Sequence, residues 1–112
     1  MAYDEALAAR IRSLLGNEEG VTERKMFGGL AFLVYGNMTV AASGKGGLLA
    51  RVDPKQTKEL LESTPATPMI MHGREMPGWL RVASKHVADD GTLTAWVNRC
   101  LTYAQTLPPK EK

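Results

Sequence analysis

This sequence offers a single thiol. Cys100 cannot close an internal disulfide, which suits a reducing compartment and leaves a packed core as the source of stability. No uninterrupted apolar run approaches the ~20 residues that a membrane helix needs. The opening MAYDEALAARIR carries acids early and lacks a continuous apolar stretch, so it does not have the form of a signal peptide. Net charge is only +2, too small to argue for or against an acidic partner. These absences lead to the expectation of a soluble, cytoplasmic protein with no membrane association.

Chemical motifs are missing as well. Gly44-Lys45-Gly46-Gly47 has neither the spacing nor the Ser/Thr of a phosphate-binding loop, and it leads into a strand pattern, so a plain turn is the favoured reading. His72, His86 and Cys100 make no recognisable zinc spacing. Met69, Met71 and Met76 are soft ligands in principle, but methionine more often fills gaps in a core. The acids Asp4, Glu5, Asp53, Asp89 and Asp90 sit at helix starts, where capping and the helix dipole account for them. Glu75 has no capping role, and solvent exposure explains it. Cys100 falls late in a helix on the same stripe as Trp96 and Ala104, the pattern of a buried hydrophobe rather than a nucleophile. No catalytic residue, cofactor or metal is expected.

What is present describes an ordinary globular chain, 44% hydrophobic and 23% charged, with 112 residues giving room for one domain. That domain is expected over residues 1–107, with PPKEK at 108–112 a disordered tail. A helix is predicted over 3–15, its stripe formed by Leu7, Ile11, Leu14 and Leu15 and its end by a left-handed stop at Gly16-Asn17. Strands should occupy about 23–52. A hairpin turn centred on Gly36-Asn37 would set Val34 opposite Thr39, Leu33 opposite Val40 and Phe32 opposite Ala41. Gly28-Gly29, inside a strand-like run, predicts a kink. Asp53-Pro54-Lys55-Gln56 starts a helix reaching about Glu62, with Leu60 and Leu61 inward. Short strands near 68–72 and 78–83 flank a turn-rich Gly73–Pro77. Asp89-Asp90-Gly91 opens a last helix that buries Leu93, Trp96, Val97, Cys100, Leu101 and Ala104 and ends before Pro108. The order α-β-β-β-α-β-β-α predicts an α+β two-layer domain with one antiparallel sheet.

The central strand raises a question of coverage. Leu30, Phe32 and Val34 point one way and Ala31, Leu33 and Tyr35 the other, and both sets are largely apolar. Helices on one side of the sheet cover one set. The other is covered by the chain itself, by a protein partner or by a second copy in a homodimer.

Arg24-Lys25-Met26-Phe27-Gly28-Gly29 and His72-Gly73-Arg74-Glu75-Met76-Pro77-Gly78-Trp79 each join a cation, an aromatic and glycines, a combination found in recognition surfaces and also in ordinary strand ends. The same segments carry a family resemblance. Lys25–Leu33, Gly36-Asn37-Met38, Arg51-Val52, Pro68-Met69, Gly73–Trp79, Trp96-Val97 and Leu107–Lys110 follow in order the pattern of the TfoX/Sxy competence-regulator family of bacteria. The chain resembles a stand-alone N-terminal domain of that family, since it stops at Lys112 where the full regulators carry a second, helical domain. The resemblance implies a secretion-chaperone-like α-β(3)-α-β(2)-α fold and a role in regulating gene expression, including genes for DNA uptake, and it brings no catalytic residues.

The expected function is therefore a non-enzymatic protein-interaction module related to transcription. Its candidate partner-binding residues are Lys25, Phe27, Gly28, Gly29, Leu33, Tyr35, Arg74 and Trp79. Two alternatives stand beside it. One is direct nucleic-acid binding through Arg24, Lys25, Lys45, Arg51, Lys55 and Lys58, which with Glu23 and Asp53 give the stretch 21–58 a local +4. The other is a small-ligand or enzymatic pocket near Arg74, Glu75 and Trp79.

Overall fold

The computed structural model describes residues 4–108 other than Asn17, Phe27 and Lys45, with side chains at all of these except Met26 and Met71. Asp4 caps the first helix by accepting the Leu7 N–H at 3.1 Å, and α1 runs Glu5–Leu15. Leu7, Ile11 and Leu15 are buried as the stripe predicts. Leu14 is 40% exposed, and Ala8 takes the inward place instead. Gly16 ends the helix in right-handed rather than left-handed geometry, and Asn17 lies outside the described residues.

Four strands follow: β1 (Val21–Met26), β2 (Gly29–Val34), β3 (Asn37–Ala42) and β4 (Leu48–Arg51). That is one more than the sequence pattern suggested. Gly28-Gly29 does not kink a strand. Gly28, at φ +75°, lies in a tight hairpin connection, and Gly29 pairs with Met26 to begin the next strand. The β2–β3 turn also sits one residue earlier than expected. Tyr35 (φ 51°) and Gly36 (φ 83°) form it, so Val34 faces Asn37 and Leu33 faces Met38. A bulge between Phe32 and Leu33 then leaves Thr39 unpaired and brings Phe32 opposite Val40. The shift keeps Phe32 and Val40 on the same face, where both are fully buried.

After β4, Asp53 accepts the Lys55 N–H at 2.9 Å and starts a 3-10 turn, Pro54–Gln56, which passes into α2 (Thr57–Ser63). β5 (Thr67–Met71) and β6 (Arg74–Val82) join through His72-Gly73, both left-handed. α3 (Asp90–Gln105), capped by Asp89, buries all six residues of its predicted stripe. The sheet is antiparallel throughout, in the order β1-β2-β3-β4-β6-β5, and the domain is α+β in two layers.

α1 and α3 cover one face, packing on Leu30, Phe32, Val34, Val40, Leu48, Leu80 and Val82. Arg10 ties α1 to Asp90 at the start of α3 (2.8 Å), and Arg12 ties it to Glu23 of β1 (2.6 Å). The second face has its own small core of Ala31, Leu33, Met38, Ala41, Leu49 and Met69, with Trp79 half-buried against it. Its centre is made of the cross-strand pair Ala31 and Ala41, over which larger neighbours can fold. Arg81, paired with Leu49, donates to Ser43 Oγ at 3.1 Å beyond β3, so its aliphatic stem spans β4. The chain alone therefore leaves Leu33 only 4% exposed. Internal coverage is the observed solution for this face.

The hairpin is also pinned from behind. Asn37, 2% exposed, donates its side-chain N–H to the Pro108 carbonyl at 2.9 Å. Pro108 is thus held, while residues 109–112 of the expected tail lie outside the described residues. Asn37→Ala removes a half-buried bond to the exposed Pro108, whose carbonyl can turn to water, so it is expected to cost about 1 kcal/mol in urea unfolding. Asn37→Asp, with a charge at the same buried position, should cost more.

Candidate functional site

The candidate residues from the sequence separate into structural and accessible groups. Gly28 and Gly29 serve the fold: a Cβ on Gly29 would run into the Ala42 carbonyl and come within 2.9 Å of the Gly44 nitrogen. Leu33 belongs to the second core, so its apolar side chain cannot itself be the docking surface. Tyr35 is 39% exposed, but its ring lies over Gly20, and its N–H donates to the Gly20 carbonyl at 2.9 Å. Desolvation and the neighbouring Glu19 raise its phenol pKa. Lys25 is exposed on the edge strand β1, and Phe27 lies outside the described residues. Arg74 and Glu75 are exposed at the β5–β6 turn, five and four residues or roughly 13–17 Å along β6 from Trp79.

Nor does the fold gather the basic residues of 24–58 into one stripe. Arg24 and Lys25 are consecutive on β1 and point to opposite faces. Arg51 is three strands away in the sheet order, about 14 Å. Lys55 and Lys58 follow on the 3-10 turn and α2, and Lys45 is outside the described residues.

What the fold does bring together is a stack at the end of β4. Register places Arg51 opposite Trp79 of β6, and the Arg51 guanidinium lies 5.4 Å from the Trp79 ring centroid. The ring of Tyr103 also lies close to this guanidinium, its centroid 5.8 Å away. Tyr103 arrives there because Cys100, one turn earlier on α3, is fully buried against β4 with the Arg51 backbone hydrogen-bonded to its sulfur. All three stacked residues are half-buried.

Beside the stack, a cleft of about 370 Å³ opens between α3 and the turn after β4, lined by Asp53, Gln56, Asn98, Arg99, Thr102, Tyr103 and Thr106. Arg99 stacks on buried Trp96 at 4.8 Å. No carboxylate among the described residues lies within ion-pair distance of Arg51 or Arg99. Both guanidinium groups are thus held by aromatic rings and leave their N–H forks open. Sequence reasoning found Trp79 but placed it with Arg74. Tyr103 carried a faint signal as the flank of the α3 stripe; the Arg51–Trp79 pairing, between non-consecutive strands, carried none.

Cys100 behaves as its position on the stripe predicts. Desolvation pushes its thiol up to about 12, the Arg51 backbone and Arg99 opposing the shift only in part. At pH 8 such a thiol is ionised in only ~10⁻⁴ of molecules, against roughly a quarter for a free cysteine. Iodoacetamide should therefore label the native protein at least ~1,000-fold more slowly than the urea-unfolded chain. Comparable rates would show Cys100 to be open to solvent. No group of three or more His, Cys, Asp or Glu placed to hold a metal occurs among the described residues, and none of their helices is long and apolar enough to cross a membrane.

Fold and surface together define a two-layer α+β domain with a hydrophobic core on each face of its sheet and a cleft beside an arginine that lies against two aromatic rings. The model of the TfoX N-terminal domain matches residues 13–104, from the end of α1 almost to the end of α3, and the chain belongs to that family. No curated protein and no solved structure shows a significant match.

Proposed function

We propose that this domain is a non-enzymatic protein-interaction module that contributes to regulating gene expression, and that it docks through the Arg51–Trp79–Tyr103 stack and the adjoining cleft. The observation that carries the docking surface is the stack itself. Arginine, tryptophan and tyrosine are the residues that most often dominate binding energy at interfaces, because they offer large rigid contact area with a polar handle. Here they are half-buried and pre-ordered, and Arg51 has no competing ion pair among the described residues. Pre-ordering lowers the entropy lost on association. Family membership supports the regulatory role, with genes for DNA uptake as the readout.

The test compares proteins co-purified from cells with wild type, Tyr103→Ala and Ile70→Ser, each checked for an unchanged melting temperature. Ile70 is the most exposed large apolar residue among the described residues, at 54%, and lies on edge strand β5, away from the stack. At least one protein should be retained by wild type and Ile70→Ser and lost by Tyr103→Ala, with DNA-uptake transcripts altered in parallel. An identical set of partners for all three chains would refute the assignment.

A further inference from the structure

We infer that the cleft beside α3 is a site for a small zwitterion, a free α-amino acid with a neutral polar side chain. Its carboxylate sits at Arg99 and its ammonium at Asp53. The cleft carries both signs of charge, and the two do not neutralise each other. Arg99 and Asp53 both line it, yet no ion pair joins them or ties either one to another of the described residues. Opposite charges that face one cavity without pairing suit a molecule that bears both.

Each charge is held by its own wall. The Arg99 guanidinium lies over the ring of buried Trp96, 4.8 Å from the centroid, and its N–H edge matches a carboxylate in two parallel hydrogen bonds. Asp53 accepts the Lys55 N–H at Oδ1 and keeps acceptor capacity for an ammonium. Thr102, Tyr103 and Thr106 come from the end of α3, where the helix dipole is negative. That end favours the ammonium and disfavours a ligand carrying only negative charge. Gln56, Asn98, Thr102 and Thr106 both donate and accept, which suits an amide or hydroxyl side chain. An extra charge there would face its like in Asp53 or Arg99. About 370 Å³ is at the small end of ligand cavities, the scale of a free amino acid. The site goes beyond the docking reading and does not depend on it, although Tyr103 borders both.

The test follows the Arg99 Nε–H and the side-chain amides of Asn98 and Gln56 in ¹⁵N spectra of the whole chain. The probes are L-glutamine, N-acetyl-L-glutamine, which lacks the ammonium, and L-glutaminamide, which lacks the carboxylate. Glutamine should shift these signals saturably at millimolar concentration. Each analogue should bind about tenfold more weakly, the loss of one charge-assisted contact. Asp53→Asn, which can still cap the 3-10 turn, should weaken glutamine about tenfold and not weaken N-acetylglutamine. Arg99→Gln should likewise weaken glutamine and not glutaminamide. Equal titration by the three probes, shifts confined to residues away from the cleft, or no shifts at all would each overturn the inference. Should a variant not fold, the comparison of probes on wild type decides alone. If glutamine fails while Tyr103→Ala still loses its partner, the amino-acid site falls and the docking surface stands.

Discussion

Gly29→Ala is expected to destabilise the domain by about 3 kcal/mol, at or beyond the upper end of ordinary overpacking. Gly29 opens β2 where it crosses the end of β3, and an added methyl would collide with the Ala42 carbonyl. Ala42 is itself paired with Leu30, so moving it away would strip the β2–β3 ladder. Gly44 has the reciprocal problem, since its Cβ would meet the Gly28 carbonyl. The two hairpin connections thus pack backbone on backbone, and neither can give. A domain of this size holds about 5–15 kcal/mol in all, so the melting temperature should fall by roughly 10–20 °C. Gly46→Ala is the control. It has φ +93° but nothing within 4 Å of the new Cβ, so only backbone strain of about 1 kcal/mol is incurred. Equal losses for the two variants would contradict the close-approach account.

The second large effect comes from two neighbours that point opposite ways. Phe32→Ala empties the middle of the helix-covered core, where Phe32 is 0% exposed, and should cost about 4 kcal/mol. Leu33→Ala removes a side chain from the second core and should cost about 2–3 kcal/mol. The lower figure reflects a smaller cluster edged by methionines, which can relax into the gap. Leu33 is the more informative residue. Were the second face open in solution, its truncation would cost within about 0.5 kcal/mol of nothing, as at a surface site. Denaturant midpoints at constant m-value separate the two cases.

Much of the fold was legible in the sequence because its signals are local. The α3 stripe from Leu93 to Ala104 and the alternation of Leu30–Val34 both appear as the periodicities require. The errors occurred where a turn depended on backbone conformation rather than pattern. Tyr35 adopts a left-handed φ that glycine or asparagine would supply more cheaply, which moved the β2–β3 turn by one residue. Gly28-Gly29 fits a bulge or a tight turn equally well in sequence, and only the Met26–Gly29 pairing distinguishes them.

The candidate site was far less legible, for a physical reason. Arg51, Trp79 and Tyr103 come from β4, β6 and α3, and nothing along the chain announces that the β4 partner is β6 rather than β5. The segments carrying the family resemblance proved mostly architectural. Gly29 permits a close approach, Asn37 holds Pro108, and Gly78, at φ +84°, donates its N–H to Thr57 Oγ1 at 2.8 Å. Once those roles are assigned, Arg51 and Trp79 remain as resemblance residues whose arrangement exceeds what the fold needs.

Site-specific photo-crosslinking in living cells addresses the docking surface most directly, with a photoreactive residue at position 103 beside the stack or at position 22 on the second sheet face. A discrete adduct from position 103 that disappears in R51K, with none from position 22, is the predicted result. Adducts from position 22 with none from position 103 would place the partner on the sheet and contradict it.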